Sequence, residues 1–159
     1  MSEKAGAKGF TFIELMVTLV ILGLLASIAA PLVQVNMQRN KEQNLTQSLR
    51  QIREAIDAYK KAADEGRIKK SADESGYPTS LFLLVEGVED IKDPKRRIMF
   101  FLRKLPQDPM QDQVDEGNDN WGKRSYQSTS DNPKEGDDVF DVYSTSSDIG
   151  LNGLPYHDW

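Results

Sequence analysis

The sequence predicts an α+β protein with a long N-terminal helix, a transmembrane half followed by an amphipathic half, packed against a small C-terminal domain. That domain is expected to hold short helices and an antiparallel sheet. Three observations predict this fold: an uncharged apolar run near the start, a helical stripe of apolar residues after it, and two strand-like segments near the end. A chain of 159 residues has room for one domain and one membrane segment.

The apolar run extends from Leu15 to Val33 without a charged residue. A helix of that length, rising ~1.5 Å per residue, covers about 30 Å, the thickness of a hydrocarbon core. Lys4 and Lys8 precede the run, and a long polar chain follows it. The positive-inside tendency therefore predicts a single-pass protein with a cytoplasmic N-terminus and an external C-terminal domain.

Three explanations compete for this run. It could be a secretory signal peptide cut after Ser27-Ile28-Ala29, an uncleaved anchor, or a leader that is cut before the apolar residues. Glu14 separates them, because an unpaired buried carboxylate costs several kcal/mol and an ordinary anchor or signal peptide should avoid it. Cleavage between Gly9 and Phe10 would create an α-amino group four residues before Glu14, and that cation is its expected partner.

The segment from Gly9 to Val17, GFTFIELMV, resembles the class III prepilin signature of type IV pilin-like proteins. In that family a prepilin peptidase cuts after the glycine, and the new terminal phenylalanine is N-methylated. The resemblance implies that Gly9 precedes the cut bond, that Phe10 becomes the methylated terminus, and that Glu14 is the acid needed for assembly. It also implies a leader at 1–9, a transmembrane helix half at 10–35 and a periplasmic globular domain at 36–159.

The helix is expected to continue past the membrane, from about Thr11 to Ala63. Pro31 lies where the family carries a helix-disrupting proline, and it should bend or loosen the helix without necessarily ending it. Beyond it, apolar residues recur at spacings of three and four, which is typical of an amphipathic helix: Leu45, Leu49, Ile52, Ile56 and Tyr59. Gly66 is a suitable stop signal.

The rest of the chain is predicted to form shorter helices and strands joined by loops. They are a loop at 69–75, a short helix carrying Leu81 and Leu84, a second helix from Asp93-Pro94 to Leu105, a loop at 108–120, and strands at 123–128 and 139–144. The final stretch, 145–159, has no periodicity. The basic side chains around the second helix indicate a solvated surface, with a subunit contact as the alternative: Arg96, Arg97, Arg103 and Lys104.

Motifs in the C-terminal half resemble the major pseudopilin of type II secretion systems. They are Leu105-Pro106-Gln107-Asp108-Pro109, Trp121-Gly122, Phe140-Asp141-Val142-Tyr143-Ser144 and Asp158-Trp159. Two departures are visible: residues 110–120 intervene where the family often runs Asp-Pro directly into Trp-Gly-Asn, and Lys123 replaces the asparagine.

This resemblance implies an inner-membrane subunit that is processed by prepilin peptidase and polymerises into a periplasmic filament driving protein export. Self-association, the inner-membrane assembly platform and minor pseudopilins are the implied partners. A pilin of a type IV pilus or a minor pilin-like subunit is the alternative. A soluble exported binding domain with an ordinary signal peptide is a further one, and it predicts a mature terminus at Ala30.

The same family binds one calcium ion in the loop after the Tyr-Ser strand. Calcium takes six to eight oxygen ligands, and here Asp148, Asn152 and Asp158 are the candidate donors. The alternative is a loop held by hydrogen bonds and by packing of Trp159 on the domain.

Composition excludes several other functions. Without cysteine the chain has no disulfide, thiolate nucleophile or cysteine-rich zinc site, and its single histidine, His157, opposes a multi-histidine metal site. The formal net charge of −5 opposes binding to nucleic acid. Asp137, Asp138 and Asp141 form a carboxylate cluster, but no nucleophile motif or phosphate loop accompanies it, so we expect no enzyme.

Overall fold

The computed structural model describes residues 9–111 and 119–159. The chain forms two compact units, Met1–Arg39 and Asn40–Trp159. Its elements in order are α1 (Phe12–Asp64), α2 (Phe82–Glu86), β1 (Val88–Glu89), β2 (Ile98–Met99), β3 (Trp121–Arg124), β4 (Asp141–Ser144) and a 3-10 helix (Tyr156–Asp158). The predicted α+β class is confirmed, with two small antiparallel sheets instead of one.

The first unit consists of the beginning of α1. Large apolar side chains from Phe10 to Leu25 are each half or more exposed. Of the described helices, α1 alone is long and apolar enough to cross a membrane. The helix continues through position 31, so Pro31 does not end it, and the bend expected there stays a prediction.

The second unit is built on the later part of α1. The predicted stripe is buried along its whole length, at Leu45, Leu49, Ile52, Ile56 and Tyr59. These side chains share one core with residues from α2 and both strands of the second sheet, among them Leu84, Trp121 and Val142. Burial of this stripe supplies the main hydrophobic stabilisation of the unit, because a fully buried Leu or Ile contributes roughly 1.5–3 kcal/mol.

Helix α1 ends in a Schellman motif. The N–H of Arg67 donates to the Ala62 carbonyl at 2.9 Å, and the N–H of Gly66 donates to the Ala63 carbonyl at 2.9 Å. Gly66 has a φ of +69°, which a glycine adopts without steric cost. The stop signal predicted at Gly66 is confirmed.

The predicted short helix is present as α2, with Leu81 and Leu84 fully buried. It ends at Gly87, whose φ is +80°. The next residue, Val88, begins strand β1. A side chain at position 87 would clash with the strand opposite, since a Cβ would lie 2.8 Å from the Met99 carbonyl oxygen.

The second helix predicted from Asp93 to Leu105 is wrong. The segment turns back and forms β2, which pairs antiparallel with β1 in the register Val88↔Met99 and Glu89↔Ile98. The Asp93 carboxylate accepts the N–H of Lys95 at 3.0 Å, and the Asp93 carbonyl accepts the N–H of Arg96 at 2.9 Å. These two bonds close a turn instead of starting a helix. Arg96 then adopts a φ of +47°, which no α-helix allows.

Tertiary bonds complete this change from helix to strand. The N–H groups of Phe101 and Leu102 both donate to the Leu84 carbonyl, at 3.0 and 2.8 Å. Leu102 is buried in the core, whereas Ile98 is exposed, so the two residues do not form a common buried face. Of the predicted basic surface, Arg96 pairs with Glu89 at 3.5 Å and Arg97 pairs with Asp93 at 2.5 Å.

The second sheet confirms the two strands predicted near the end, with shifted bounds. Strands β3 and β4 pair antiparallel, with Trp121 opposite Ser144 and Gly122 opposite Tyr143. The predicted strand residues after Arg124 instead form a turn, in which the Ser128 N–H donates to the Ser125 carbonyl at 3.1 Å. The loop predicted at 69–75 contains neither helix nor strand, and part of the loop predicted at 108–120 lies outside the described residues.

An ion pair connects the end of α1 to the first sheet. The Arg67 guanidinium donates to the Asp90 carboxylate at 2.6 and 3.0 Å, and the Lys92 N–H donates to the same carboxylate at 3.0 Å. The hydrogen bond from Arg67 is the main reason that the pKa of Asp90 lies below its ordinary value. The folded state therefore favours the ionised carboxylate.

We expect Asp90→Asn to destabilise the second unit at neutral pH and to reduce the acid sensitivity of its stability. A carboxyl group with a lowered folded pKa stabilises the fold above its unfolded pKa of about 3.9, and this contribution is lost as the pH falls through the lower folded value. Tryptophan fluorescence during urea unfolding in detergent, at neutral and at strongly acidic pH, measures both effects. Asp73→Asn, at an exposed carboxylate, is the matched control. An unchanged pH dependence in Asp90→Asn would contradict the assignment.

Candidate functional site

The first turn of α1 is closed by a reciprocal cap between Thr11 and Glu14. The Thr11 hydroxyl oxygen accepts the N–H of Glu14 at 3.3 Å, and the Glu14 carboxylate accepts the N–H of Thr11 at 3.3 Å. This arrangement is a capping box, which satisfies two N–H groups at the start of a helix. It holds the Glu14 carboxylate in the first turn, where the partial positive charge of the helix terminus stabilises an anion.

The two residues of the predicted cleavage site precede this cap. Gly9 and Phe10 are neither helical nor buried, and the Phe10 side chain is 75% exposed. Its chain neighbours aside, a Cβ at position 9 would meet no atom of the described residues within 4 Å. The Gly9–Phe10 bond is thus accessible, and non-helical exposed backbone is where proteases cut. Cleavage there would place a new amino group one residue before Thr11.

Sequence reasoning missed Thr11. It assigned the partner of Glu14 to the amino group that cleavage would create, whereas in the uncut chain Thr11 bonds to Glu14. The signal was present, since Thr11-Phe12-Ile13-Glu14 is the Thr-x-x-Glu pattern of a capping box immediately before an apolar run. The next polar residue, Thr18, donates its hydroxyl to the Glu14 carbonyl at 2.8 Å. Its hydroxyl is therefore satisfied within the helix, as an apolar environment requires.

In the second unit, motifs that are far apart in the sequence meet in one cluster. The Trp121 indole donates to the Pro106 carbonyl at 2.9 Å, and the Ser144 hydroxyl donates to the Asp108 carboxylate at 2.6 Å. We call Pro106, Asp108, Trp121, Gly122, Tyr143 and Ser144 the motif cluster. The pairing of β3 with β4 produces it, because Trp121 lies opposite Ser144 and Gly122 opposite Tyr143.

Close packing fixes the cluster. Any Cβ at position 122 would lie 2.3 Å from the Tyr143 ring, so only glycine fits beneath that ring. Asp108, Trp121 and Ser144 are all buried. The Asp108 carboxylate also accepts the Met110 N–H at 2.9 Å. A buried carboxylate with two internal donors has a structural role: it connects the segment before residue 112 to the edge of β4.

The three calcium candidates do not form a metal site as placed. All are exposed, and each has an oxygen in use: the Asp148 carbonyl accepts the Tyr156 N–H at 3.2 Å, the Asn152 side chain accepts the Leu154 N–H at 2.9 Å, and Asp158 pairs with His157 at 3.1 Å. Within residues 9–111 and 119–159, no three acidic or histidine side chains are grouped to hold a metal ion. Calcium binding here stays a prediction.

Two members of the carboxylate cluster noted in the sequence, Asp138 and Asp141, take part in separate contacts. Asp138 accepts the Ser75 hydroxyl and, at 2.9 Å, the Tyr126 N–H. Asp141 pairs with Arg53 at 2.8 Å and with Arg124 at 3.1 Å. These carboxylates hold loops and strands together, and they do not converge on a common point where a substrate could bind.

We expect Ser144→Ala to lower the free energy of unfolding by about 1–3 kcal/mol, because the buried Asp108 carboxylate loses its shortest hydrogen bond. Thermal unfolding followed by near-UV circular dichroism in detergent measures the change. Ser147→Ala, which removes an exposed hydroxyl from the next loop, should change stability by less than about 0.5 kcal/mol. Equal effects in the two variants would show that the motif cluster does not depend on this bond.

Comparison with known proteins gives the family. Residues 4–30 match the model of the prokaryotic N-terminal methylation motif. The chain is 32% identical to type II secretion system core protein G of Aeromonas hydrophila over 67% of this chain and 70% of that protein. It is 30% identical to core protein G of Vibrio cholerae over 94% of this chain and 89% of the relative. It is 31% identical to core protein G of Pseudomonas aeruginosa over 92% of this chain and 87% of that protein.

No solved structure gives a significant match to the chain. In the two longer alignments the relatives match nearly the whole length of the chain. The resemblance derived from the motifs is thereby confirmed, and the chain belongs to the family of type II secretion system core protein G, the major pseudopilins.

Proposed function

We propose that this chain is a structural subunit of a type II secretion pseudopilus, cut by prepilin peptidase between Gly9 and Phe10 and polymerised into a periplasmic filament that drives protein export. One observation carries the proposal: an exposed, non-helical Gly9–Phe10 bond directly precedes an apolar helix whose first turn holds Glu14. The match to core protein G over nearly the whole chain supports a pseudopilus over a type IV pilus. It also supports a major over a minor subunit.

Before assembly, the subunit resides in the inner membrane through the first part of α1. The exposed apolar side chains from Phe10 to Leu25 require a non-aqueous environment, since water would otherwise contact all of them. The cytoplasmic side is assigned to the N-terminus because Lys4 and Lys8 precede the helix. The C-terminal domain is then periplasmic.

Glu14 gives assembly its specificity. A carboxylate within the hydrocarbon core is costly, and so is the ammonium group that cleavage creates on Phe10; pairing the two, within one chain or between neighbours, offsets both costs. In the uncut chain the Thr11 N–H and the Thr11 hydroxyl both donate to the Glu14 carboxylate, each at 3.3 Å. Cleavage adds a full positive charge close to a carboxylate that is already positioned.

Self-association uses the lipid-facing surface of α1. Gly23 and Ala26 are small residues that allow two helices to approach closely. Apart from the backbone of its own helix, a Cβ added at position 23 would meet no atom of the described residues within 4 Å. The leucines nearby, exposed in the single chain, are the side chains that a neighbouring helix would cover: Leu19, Leu22 and Leu25. Prepilin peptidase, the inner-membrane assembly platform and minor pseudopilins complete the set of proposed partners.

We propose no catalytic activity for the chain. Its chemistry is that of a substrate for processing enzymes, and its acidic side chains serve packing and ion pairs. Among the described residues, the Asp138 and Asp141 carboxylates are both bonded to neighbouring groups.

The mature N-terminus tests the processing step directly. We expect mass spectrometry of the chain, recovered from membranes of cells containing prepilin peptidase, to show a methylated Phe10 terminus. Cells lacking the peptidase should yield the uncut chain. A terminus at Ala30 would contradict the proposal and would identify an exported domain with an ordinary signal peptide.

Assembly tests the role of Glu14. Glu14→Leu and Glu14→Ala should leave the chain in the membrane and correctly cut, but should reduce the fraction recovered in sheared filaments by at least about tenfold. Without Glu14 the ammonium group on Phe10 has no partner, and an unpaired charge in the membrane costs about 2.5–3.5 kcal/mol. Thr18→Ala, one turn further along α1, is the matched control, because its hydroxyl bonds only within its own helix. Normal filament yield from the Glu14 variants would refute the electrostatic mechanism.

A further inference from the structure

We propose that the C-terminal loop of this chain is held on α1 by two helix side chains, Glu42 and Arg53, and that its folding requires no metal ion. We call this pair of side chains and their bonds the C-terminal clamp, and the loop it holds comprises residues 149–159. The proposal is independent of the secretion function, because every contact that supports it lies within the second unit.

Glu42 holds the first part of the loop. Its Oε1 atom accepts the Leu151 N–H at 2.7 Å and the Tyr156 hydroxyl at 2.9 Å. Tyr156 is 2% exposed, so one of these bonds lies at the buried base of the loop. Hydrogen bonds to an ionised acceptor are roughly twice as strong as neutral ones. A single carboxylate thus fixes both a backbone position and the aromatic side chain on which the loop packs.

Arg53 holds the end of the loop. Its guanidinium donates to the Trp159 carbonyl at 2.9 Å, to the Val142 carbonyl at 3.0 Å and to the Asp141 carboxylate at 2.8 Å. One side chain therefore joins the last residue of the chain to strand β4 and to the helix. The rigid fork of arginine suits this task, because its donors reach several acceptors in fixed directions.

The spacing of the two residues places them on one face of α1. Eleven residues are about three helical turns, so Glu42 and Arg53 project in nearly the same direction, about 16 Å apart along the axis. Leu49, between them on that face, is buried. The loop therefore covers this stretch of the helix and is fixed at both ends.

Further bonds join groups of the loop to one another, and the Tyr156 N–H donates to the Asp148 carbonyl just before it. The Gly150 N–H donates to the Leu154 carbonyl at 2.8 Å, and the Tyr156 and Trp159 rings meet edge to face with centroids 5.3 Å apart. Gly150 lies beneath Trp159, where a Cβ would be 2.7 Å from the indole ring. These contacts close the loop through groups of the chain itself.

The arrangement disagrees with a loop built around calcium. Calcium requires six to eight oxygens at 2.3–2.6 Å. Here the Asn152 side-chain oxygen accepts the Leu154 N–H, and the carbonyl of Asp148, just before the loop, accepts the Tyr156 N–H. In the part of the chain that the structure describes, no three acidic or histidine side chains are grouped around a common point. The clamp attaches the loop to α1 with groups of the chain itself.

Hydrogen exchange on the full chain in detergent micelles, with EGTA and then with added calcium, tests the clamp. In EGTA, the wild-type amides of 149–159 should be protected, and calcium should change their exchange by less than about twofold. Glu42→Ala should accelerate exchange of the Leu151 amide by at least about tenfold, the effect of losing a hydrogen bond to a charged group. Calcium should not restore protection. Glu54→Ala is the matched control, because this helix carboxylate bonds only to Arg50.

Amides of residues 45–63 report whether the core of a variant stays folded. If Glu42→Ala unfolds the core, Tyr156→Phe is tested in its place. This variant keeps the aromatic ring and loses the hydroxyl bond to Glu42, and it should still accelerate loop exchange while the core stays protected. Two results would overturn the proposal. One is a wild-type loop that is unprotected in EGTA and becomes protected with calcium. The other is unchanged loop exchange in a folded Glu42 or Tyr156 variant.

Discussion

The structure of the second unit depends on burying one apolar stripe of α1. The side chains of this stripe are each nearly inaccessible to water, and residues of the other elements belong to the same core or pack against it: Leu45, Leu49, Ile52, Ile56 and Tyr59. The sheets are too small to be stable alone, with strands of two and four residues. The helix is the template, and short strands and loops are stable because they share its core.

Polar contacts then determine how the covering elements are held in place. Arg67 bonds to Asp90 beside the first sheet, Asp108 bonds to Ser144 beneath the second, and Glu42 bonds to the C-terminal loop. Each of these pairs involves a carboxylate that is at least partly shielded from water, where a hydrogen bond is worth more than at the surface. In a chain without cysteine, such bonds perform the task that disulfides have in many small exported domains.

The first part of α1 differs from the second unit, whose apolar side chains are buried and whose polar contacts join distant segments. Its apolar side chains are exposed, and its few polar groups are satisfied locally by Thr11, Glu14 and Thr18. A segment of this kind suits a change of environment from lipid to a bundle of identical helices, since both environments are apolar and neither satisfies backbone polar groups. Glu14 is the exception, and we propose that its charge makes the choice of neighbour specific.

The sequence by itself determined the features that depend on local pattern. The apolar run, the Gly9-Phe10 bond, Glu14, the stripe on α1 and the stop at Gly66 follow from the order of neighbouring residues. Spacing along one helix fixes which side chains share a face, and a conformation with positive φ favours glycine wherever it occurs. The family motifs could be found in the same way.

Only the tertiary structure decided which distant segments meet. The residues from Asp93 to Leu105 have helical spacing, but hydrogen bonds to the Leu84 carbonyl and pairing with β1 are worth more than an isolated short helix, which is marginal in water. Likewise, no local pattern joins Asp108 to Ser144, or Glu42 to Leu151 and Tyr156. Those bonds span 36 to 114 residues of sequence, and they exist because packing on the α1 stripe brings their partners within reach.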